Sequence, residues 1–225
     1  WYFTAHLTLK CNFNCDYCIQ KFEDHSKKII NHYEELTTDQ WIKGLLNFQA
    51  PFLVLSGGEV TLRNDSAIIA SYVAQNFGHI EIGTNLSKDP QKLINEIVLS
   101  EHKNIVIGTS FHPNQMNTKM FLLHVKKILD SPVQLNTVAI VDTFDGKGAE
   151  AYEQLLKLGI PKLSLNPYQG IYEGKVYPKE MEEYSDGKNI KKVNCKTTII
   201  CISPDGSIYN CSHNIYIHST NVLGN

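Results

Sequence analysis

The chain has 225 residues, 42% of them hydrophobic and 20% charged, a length and balance that fit one soluble domain with room for a small appendage. Its formal net charge is -2, and Lys27-Lys28 and Lys191-Lys192 are isolated pairs, so it carries no electrostatic footprint for nucleic acid. No apolar run approaches the roughly 18–20 residues that cross a bilayer.

Short apolar, β-rich runs alternate with amphipathic ones. Ala5–Lys10 predicts the first strand. A helix is expected from Thr37, where Gln40 completes a capping box and Trp41, Leu45, Leu46 and Phe48 follow at helical spacing. Phe52–Leu55 predicts the second strand. The next helix carries Ile68, Ile69, Tyr72, Val73 and Phe77, with Gly78 as its C-terminal cap. Further strands are expected at His79–Gly83, Asn104–Thr109, Val133–Val141 and Lys162–Leu165. The helices between them carry Leu93, Ile94, Ile97 and Val98, then Met120, Phe121, His124, Val125 and Ile128. The last spans about 148–158, closed by Gly159 and Pro161.

Strands separated by helices call for a parallel sheet with right-handed crossovers. Six strands are too few to close a full barrel. The expected fold class is therefore α/β, a partial (β/α)6 TIM-like barrel with a small C-terminal β-hairpin module. Functional groups belong at the C-terminal ends of its strands. The barrel is assigned to 1–170 and a connecting loop without clear period to 171–192. A hairpin module takes 193–225, with strands Thr197–Ile202 and Ser207–Asn210 around a Pro204-Asp205-Gly206 turn.

Cys11, Cys15 and Cys18 lie in one loop directly after the first strand. A [4Fe–4S] cluster normally takes four thiolates, so three leave one iron open. An open position can bind and activate a ligand, as it does in catalytic zinc sites. Spacing alone also admits a structural zinc ion, with His6 or His25 as fourth ligand, or unligated core cysteines.

The C-x3-C-x2-C loop, with Tyr17 before its last cysteine, resembles the signature loop of the radical S-adenosylmethionine (SAM) superfamily. There the loop follows the first strand of a partial (β/α)6 barrel, and the resemblance covers about 5–170. Ser56-Gly57-Gly58-Glu59, after the second strand, resembles the Gly-Gly-Glu motif that binds the amino group of the cofactor's methionine moiety. Glycines permit close backbone approach to the ligand, and a carboxylate pairs with an ammonium. Gly83-Thr84-Asn85 resembles the family's Thr-Asn-Gly, with Leu86 in place of the last glycine. Thr109-Ser110-Phe111-His112 stands where Ser-x-Asp is usual. The resemblance gives Ser110 to the cofactor's ribose or carboxylate. His112 is left to bind substrate, to act as acid or base near neutral pH, or to cap a turn. The fifth strand, with Asn136 and Val138, is expected to supply backbone and apolar contacts to adenine.

The resemblance implies reductive cleavage of SAM at a [4Fe–4S] cluster held by Cys11, Cys15 and Cys18, followed by hydrogen abstraction from a peptide or small-molecule substrate. It also implies an external electron donor such as flavodoxin or ferredoxin.

Cys195, Cys201, Cys211 and His213 form a second constellation. A cysteine, a hairpin turning on Gly206, and Cys211 five residues later resemble the opening of the SPASM and twitch modules, which hold auxiliary [4Fe–4S] clusters. Leu223-Gly224-Asn225 resembles the Gly-Asn that follows in them, but no later Cys-x2-Cys appears. Cys201 lies six residues from Cys195, and His213 two from Cys211, even offsets that share one face of a strand. A second cluster, a cluster-free hairpin and a zinc ion are all open readings.

Maturation of a peptide, natural product or protein is the leading expectation. The alternative is nucleoside, sugar or modified-base biosynthesis. A non-enzymatic iron–sulfur or zinc protein for electron transfer or regulation would explain the cysteines but not Gly57-Gly58-Glu59 in register. Clustered cysteines, and the lack of a secretory signal in Trp1-Tyr2-Phe3-Thr4, point to a reduced, cytoplasmic compartment. With no initial methionine and no stop-like tail, further residues are expected beyond both ends.

Overall fold

A computed structural model describes residues 2–21, 33–160, 162–173, 175–177, 198–216 and 219–225. Strands β1 (Tyr2–Thr8), β2 (Ala50–Gly57), β3 (Phe77–Thr84), β4 (Ile105–Phe111), β5 (Leu135–Val141) and β6 (Leu163–Asn166) pair in chain order, all parallel. From β2 onward the crossovers are α2 (Ser66–Val73), α3 (Gln91–Leu99), α4 (Thr118–Leu129) and α5 (Lys147–Leu156), and α1 (Thr38–Leu45) precedes β2. The sheet is open, with β6 at one of its edges.

The period-two pattern of each strand decides which side chains meet the helices. Phe3, Ala5, Leu7, Leu53, Leu55, Ile80, Ile82, Ile107 and Ile140 are buried in one core with Trp41, Ile69, Ile97, Phe121 and Leu155 from the helices. Burying each large apolar side chain contributes about 1.5–3 kcal/mol. The opposite face of the sheet is concave and left to the functional site.

The capping box is formed: the Thr37 hydroxyl accepts from Gln40 N at 3.3 Å, and Gln40 Oε1 accepts from Thr37 N at 2.8 Å. Gly78, in contrast, caps no helix. It lies within β3, whose first residue, Phe77, is 3% exposed. Pulling Phe77 into the core ends the helix early, and Asn104 Nδ2 serves the stranded carbonyls of Ala74 and Phe77, both at 2.8 Å.

The first part of the expected connecting loop is also structured. β7 (Gly170–Tyr172) and β8 (Lys175–Tyr177) form a two-stranded antiparallel hairpin, with Glu173 at φ 49 in its turn. The left-handed conformation at the turn was hidden by a charged, aperiodic composition.

β9 (Ile199–Ile202) and β10 (Ile208–Tyr209) form the C-terminal hairpin. It adds to the same sheet: β9 runs parallel to β1, with Tyr2 opposite Ile199 and Ala5 opposite Ile202. Leu9, Cys201, Tyr209, Ile215 and Tyr216 make a second, smaller core beside this seam. Among the described residues no helix is long and apolar enough to cross a membrane.

Candidate active site

The C-terminal ends of β1 and β2 are locked together by backbone. Gly58 N donates to Thr8 O and Glu59 N to Lys10 O, each at 2.8 Å. A Cβ on Gly57 would collide with the Thr8 carbonyl, and one on Gly58 with the carbonyls of Leu9 and Lys10. Gly57 also has φ 145, a conformation that favours glycine. The paired glycines thus let the motif approach the root of the cysteine loop, a neighbour within the chain.

Glu59 is 1% exposed. Its Oε1 accepts from Thr61 N at 3.0 Å, Thr61 Oγ1 at 2.5 Å and Thr84 Oγ1 at 2.7 Å, and its Oε2 accepts from Asn85 N at 2.7 Å. Four donors satisfy the cost of burying this charge. The carboxylate braces the end of β2 against the end of β3. Asn85 then reaches back to the cysteine loop, donating to Asn12 Oδ1 at 3.1 Å and facing Cys11 Sγ at 3.9 Å. Leu86, which replaces the family glycine, has φ 51. The backbone keeps the left-handed turn for which glycine is the usual residue.

Cys11, Cys15 and Cys18 line one cavity of about 470 Å³ together with Tyr17, Gly57, Gly58, Glu59, Thr84, Asn85, Ser110 and His112. Phe13 N donates to Cys11 Sγ at 3.4 Å. Three thiols on one wall, with N–H groups directed at one sulfur, fit a [4Fe–4S] cluster with an open iron. Among the described residues no three His, Cys, Asp or Glu groups gather around a single ion position. His6 is engaged elsewhere, with Ser212 Oγ at 3.3 Å and Tyr216 Oη at 3.5 Å, and His25 lies outside the described residues.

His112 bridges Tyr17 Oη at 3.1 Å and Ser110 Oγ at 2.9 Å, and its ring stacks on Tyr17 at 5.7 Å. Burial pushes its pKa down to about 4, so it is a neutral positioning group near pH 7 and no proton donor in that range. Its carbonyl also accepts from Gln115 N and Met116 N, capping the turn.

The expected adenine contacts on β5 are shifted. Val138 is fully buried on the helix side, and Asn136 is the extra residue of a bulge between the Leu135 and Thr137 pairings. Neither lines the cavity; Thr137, Ala139 and Val141 do. Strand parity, counted from the bulge, sets this face. Glu81, Phe13, Gln20 and Tyr216 also line the cavity and were not singled out. A lone carboxylate inside the apolar run of β3 was the available signal for Glu81; Tyr216 had none.

At the other end, Cys195 lies outside the described residues. Cys201 is buried, with Sγ 3.2 Å from Ser212 Oγ, while Cys211 is exposed. His213 does not share a strand face with Cys211, because Ser212–Tyr216 forms a short helix, α6. The described residues therefore assemble no ligand set there.

No protein-family model matches the chain. It is 30% identical over 101 residues to Fe-coproporphyrin III synthase of Methanosarcina barkeri (strain Fusaro / DSM 804), covering 42% of this chain and 24% of that protein. It is 33% identical over 84 residues to the S-adenosylmethionine-dependent nucleotide dehydratase of Selenomonas ruminantium, covering 36% of this chain and 28% of that one. The chain thus spans about a quarter of the length of these curated relatives. Its fold is similar to BtrN, solved in complex with AdoMet and 2-DOIA, with TM-score 0.52 and 12% identity over 100% of this chain and 77% of that one. All three are radical SAM enzymes, and the chain is similar to the first two in sequence and to the third in fold, with its cysteine loop and Gly-Gly-Glu clamp in register on β1 and β2.

Proposed function

We propose that the chain holds a [4Fe–4S] cluster on Cys11, Cys15 and Cys18, binds SAM between that loop and Gly57-Gly58-Glu59, and works as a hydrogen-abstracting enzyme. One observation carries this reading: a single cavity runs from the three thiols, past Gly57, Gly58, Ser110 and His112, onto the concave face of the sheet at Glu81, Gly108 and Thr137. Held by Cys11, Cys15 and Cys18, a reduced cluster would supply the one-electron reduction of the SAM sulfonium from which hydrogen abstraction starts.

The chain's own residues bind, orient and shield. Asn85 and Phe13 direct N–H groups at Cys11, which favours the thiolate form. Glu59 fixes the ends of β2 and β3 around the cofactor. Neutral His112 holds Tyr17 and Ser110 over the opening, and the stacked rings exclude water. The substrate we propose is a small molecule or a peptide side chain presented at the cavity mouth. Small-molecule chemistry draws support from the names of the relatives and from the BtrN complex. An external one-electron donor such as flavodoxin or ferredoxin would reduce the cluster.

Anaerobic reconstitution with iron and sulfide, then reduction in the presence of SAM, tests the reading. The expected products are methionine and 5′-deoxyadenosine, and replacing Cys11, Cys15 and Cys18 together by alanine should remove both the iron and the products. A reconstituted wild type that forms neither product, or a triple variant that still forms them, overturns it.

A further inference from the structure

We propose that Glu81 anchors the substrate by accepting an ammonium group at Oε1, an inference that rests on the cavity being a SAM-dependent reaction chamber. Glu81 stands in the middle of β3, half-buried, with its side chain on the concave face. Its carboxylate lies across β4 at Gly108, where any Cβ would strike Oε1. A glycine at 108 is therefore what allows the carboxylate to lie over the sheet.

Both hydrogen bonds to this carboxylate fall on Oε2. Asn136 Nδ2 donates to it, and Thr137 Oγ1 lies 3.4 Å away. Lys162 Nζ donates to Asn136 Oδ1 at 3.0 Å, which fixes the amide with its NH2 edge toward Glu81. Among the described residues, Oε1 has no hydrogen-bond partner and no Lys, Arg or His forms an ion pair with Glu81. A half-buried carboxylate in a cleft, held by neutral donors on one oxygen, leaves its other oxygen open to a charged donor. An incoming cation supplies it.

The test is calorimetric titration of the reconstituted protein with SAM, followed by cyclohexylammonium or the peptide Gly-Lys-Gly. At least one amine should bind wild type, and Glu81→Gln should weaken it by about tenfold or more. Thr137→Val, which frees one side of Oε2, should weaken the same amine by a few-fold. Preference for cyclohexylammonium would indicate a small amine, and preference for the peptide a lysine side chain. Cyclohexanol should show no dependence on Glu81. Equal amine affinity in wild type and Glu81→Gln, or a parallel loss of SAM affinity in that variant, overturns the anchor. Wild type that binds SAM and neither amine overturns the anchor alone, whereas wild type that binds no SAM overturns the function it rests on.

Discussion

β1 is gripped differently at its end and along its outer edge. At the end, backbone meets backbone: Gly57 and Gly58 lie so close to Thr8, Leu9 and Lys10 that no Cβ fits between them. Along the edge, β9 pairs with β1 through an ordinary ladder, and specificity comes from side chains, with His6, Ser212, Cys201 and Tyr216 in one buried polar chain. The first region is defined by forbidden volume and the second by the protonation and packing of soft groups. They should therefore fail under different challenges.

The largest effect is expected from Gly57→Ala. The new methyl meets the Thr8 carbonyl, and the backbone stands at φ 145, so steric and conformational costs add. We expect a loss of about 3 kcal/mol or more in denaturant unfolding, with SAM binding lost even in the folded fraction. Near-native stability and SAM affinity would show that the β1–β2 clamp yields easily.

Acid should strike the second region. Burial pushes the His6 pKa down to about 4, against an unfolded value of about 6.5. Between these values the unfolded chain binds a proton that native His6 refuses. Stability is then complete above about pH 6.5 and falls as pH drops toward about 4. The loss is on the order of 2–3 kcal/mol, and His112, with a pKa of about 4, adds to it in the same window. Thermal melts across this range should slope less steeply in His6→Phe. An unchanged slope would mean that His6 titrates normally and that the seam is open to water.

The sequence made the first region legible because its constraints are local. A cysteine triplet and a Gly-Gly-Glu each sit within a few residues, and strand order alone brings them together. The capping box at Thr37 and Gln40 was legible for the same reason. Gly78 misled because the pull of Phe77 into a non-local core outweighed a local cap signal. Asn136 and Val138 missed the cavity because one bulge residue resets the parity of β5, and a bulge leaves no mark in an apolar run. His213 left its expected strand face because five residues after Cys211 prefer a helical turn against Leu9 and Tyr209. Tyr216 reaches the site because β9 pairs with β1 and brings the following helix beside it, a contact no spacing rule reaches, while Glu81 left only the mark of a lone carboxylate in an apolar run.

The smallest predicted effect decides whether the two regions share any chemistry. Cys201 is 1% exposed, packed with Leu9, Tyr209, Ile215 and Tyr216, and burial raises its thiol pKa while Ser212 opposes the rise. That is the environment of a small core residue, since a ligand or nucleophile is favoured by a lowered pKa. Cys201→Ala should cost about 1 kcal/mol of stability, the value of a small buried group, and leave the iron content of the reconstituted protein at wild type. If iron falls in this variant with Cys11, Cys15 and Cys18 intact, Cys201 is a ligand. The seam along β1 would then hold iron as we propose the end of β1 does, and acid sensitivity there would report a metal centre in place of a buried histidine.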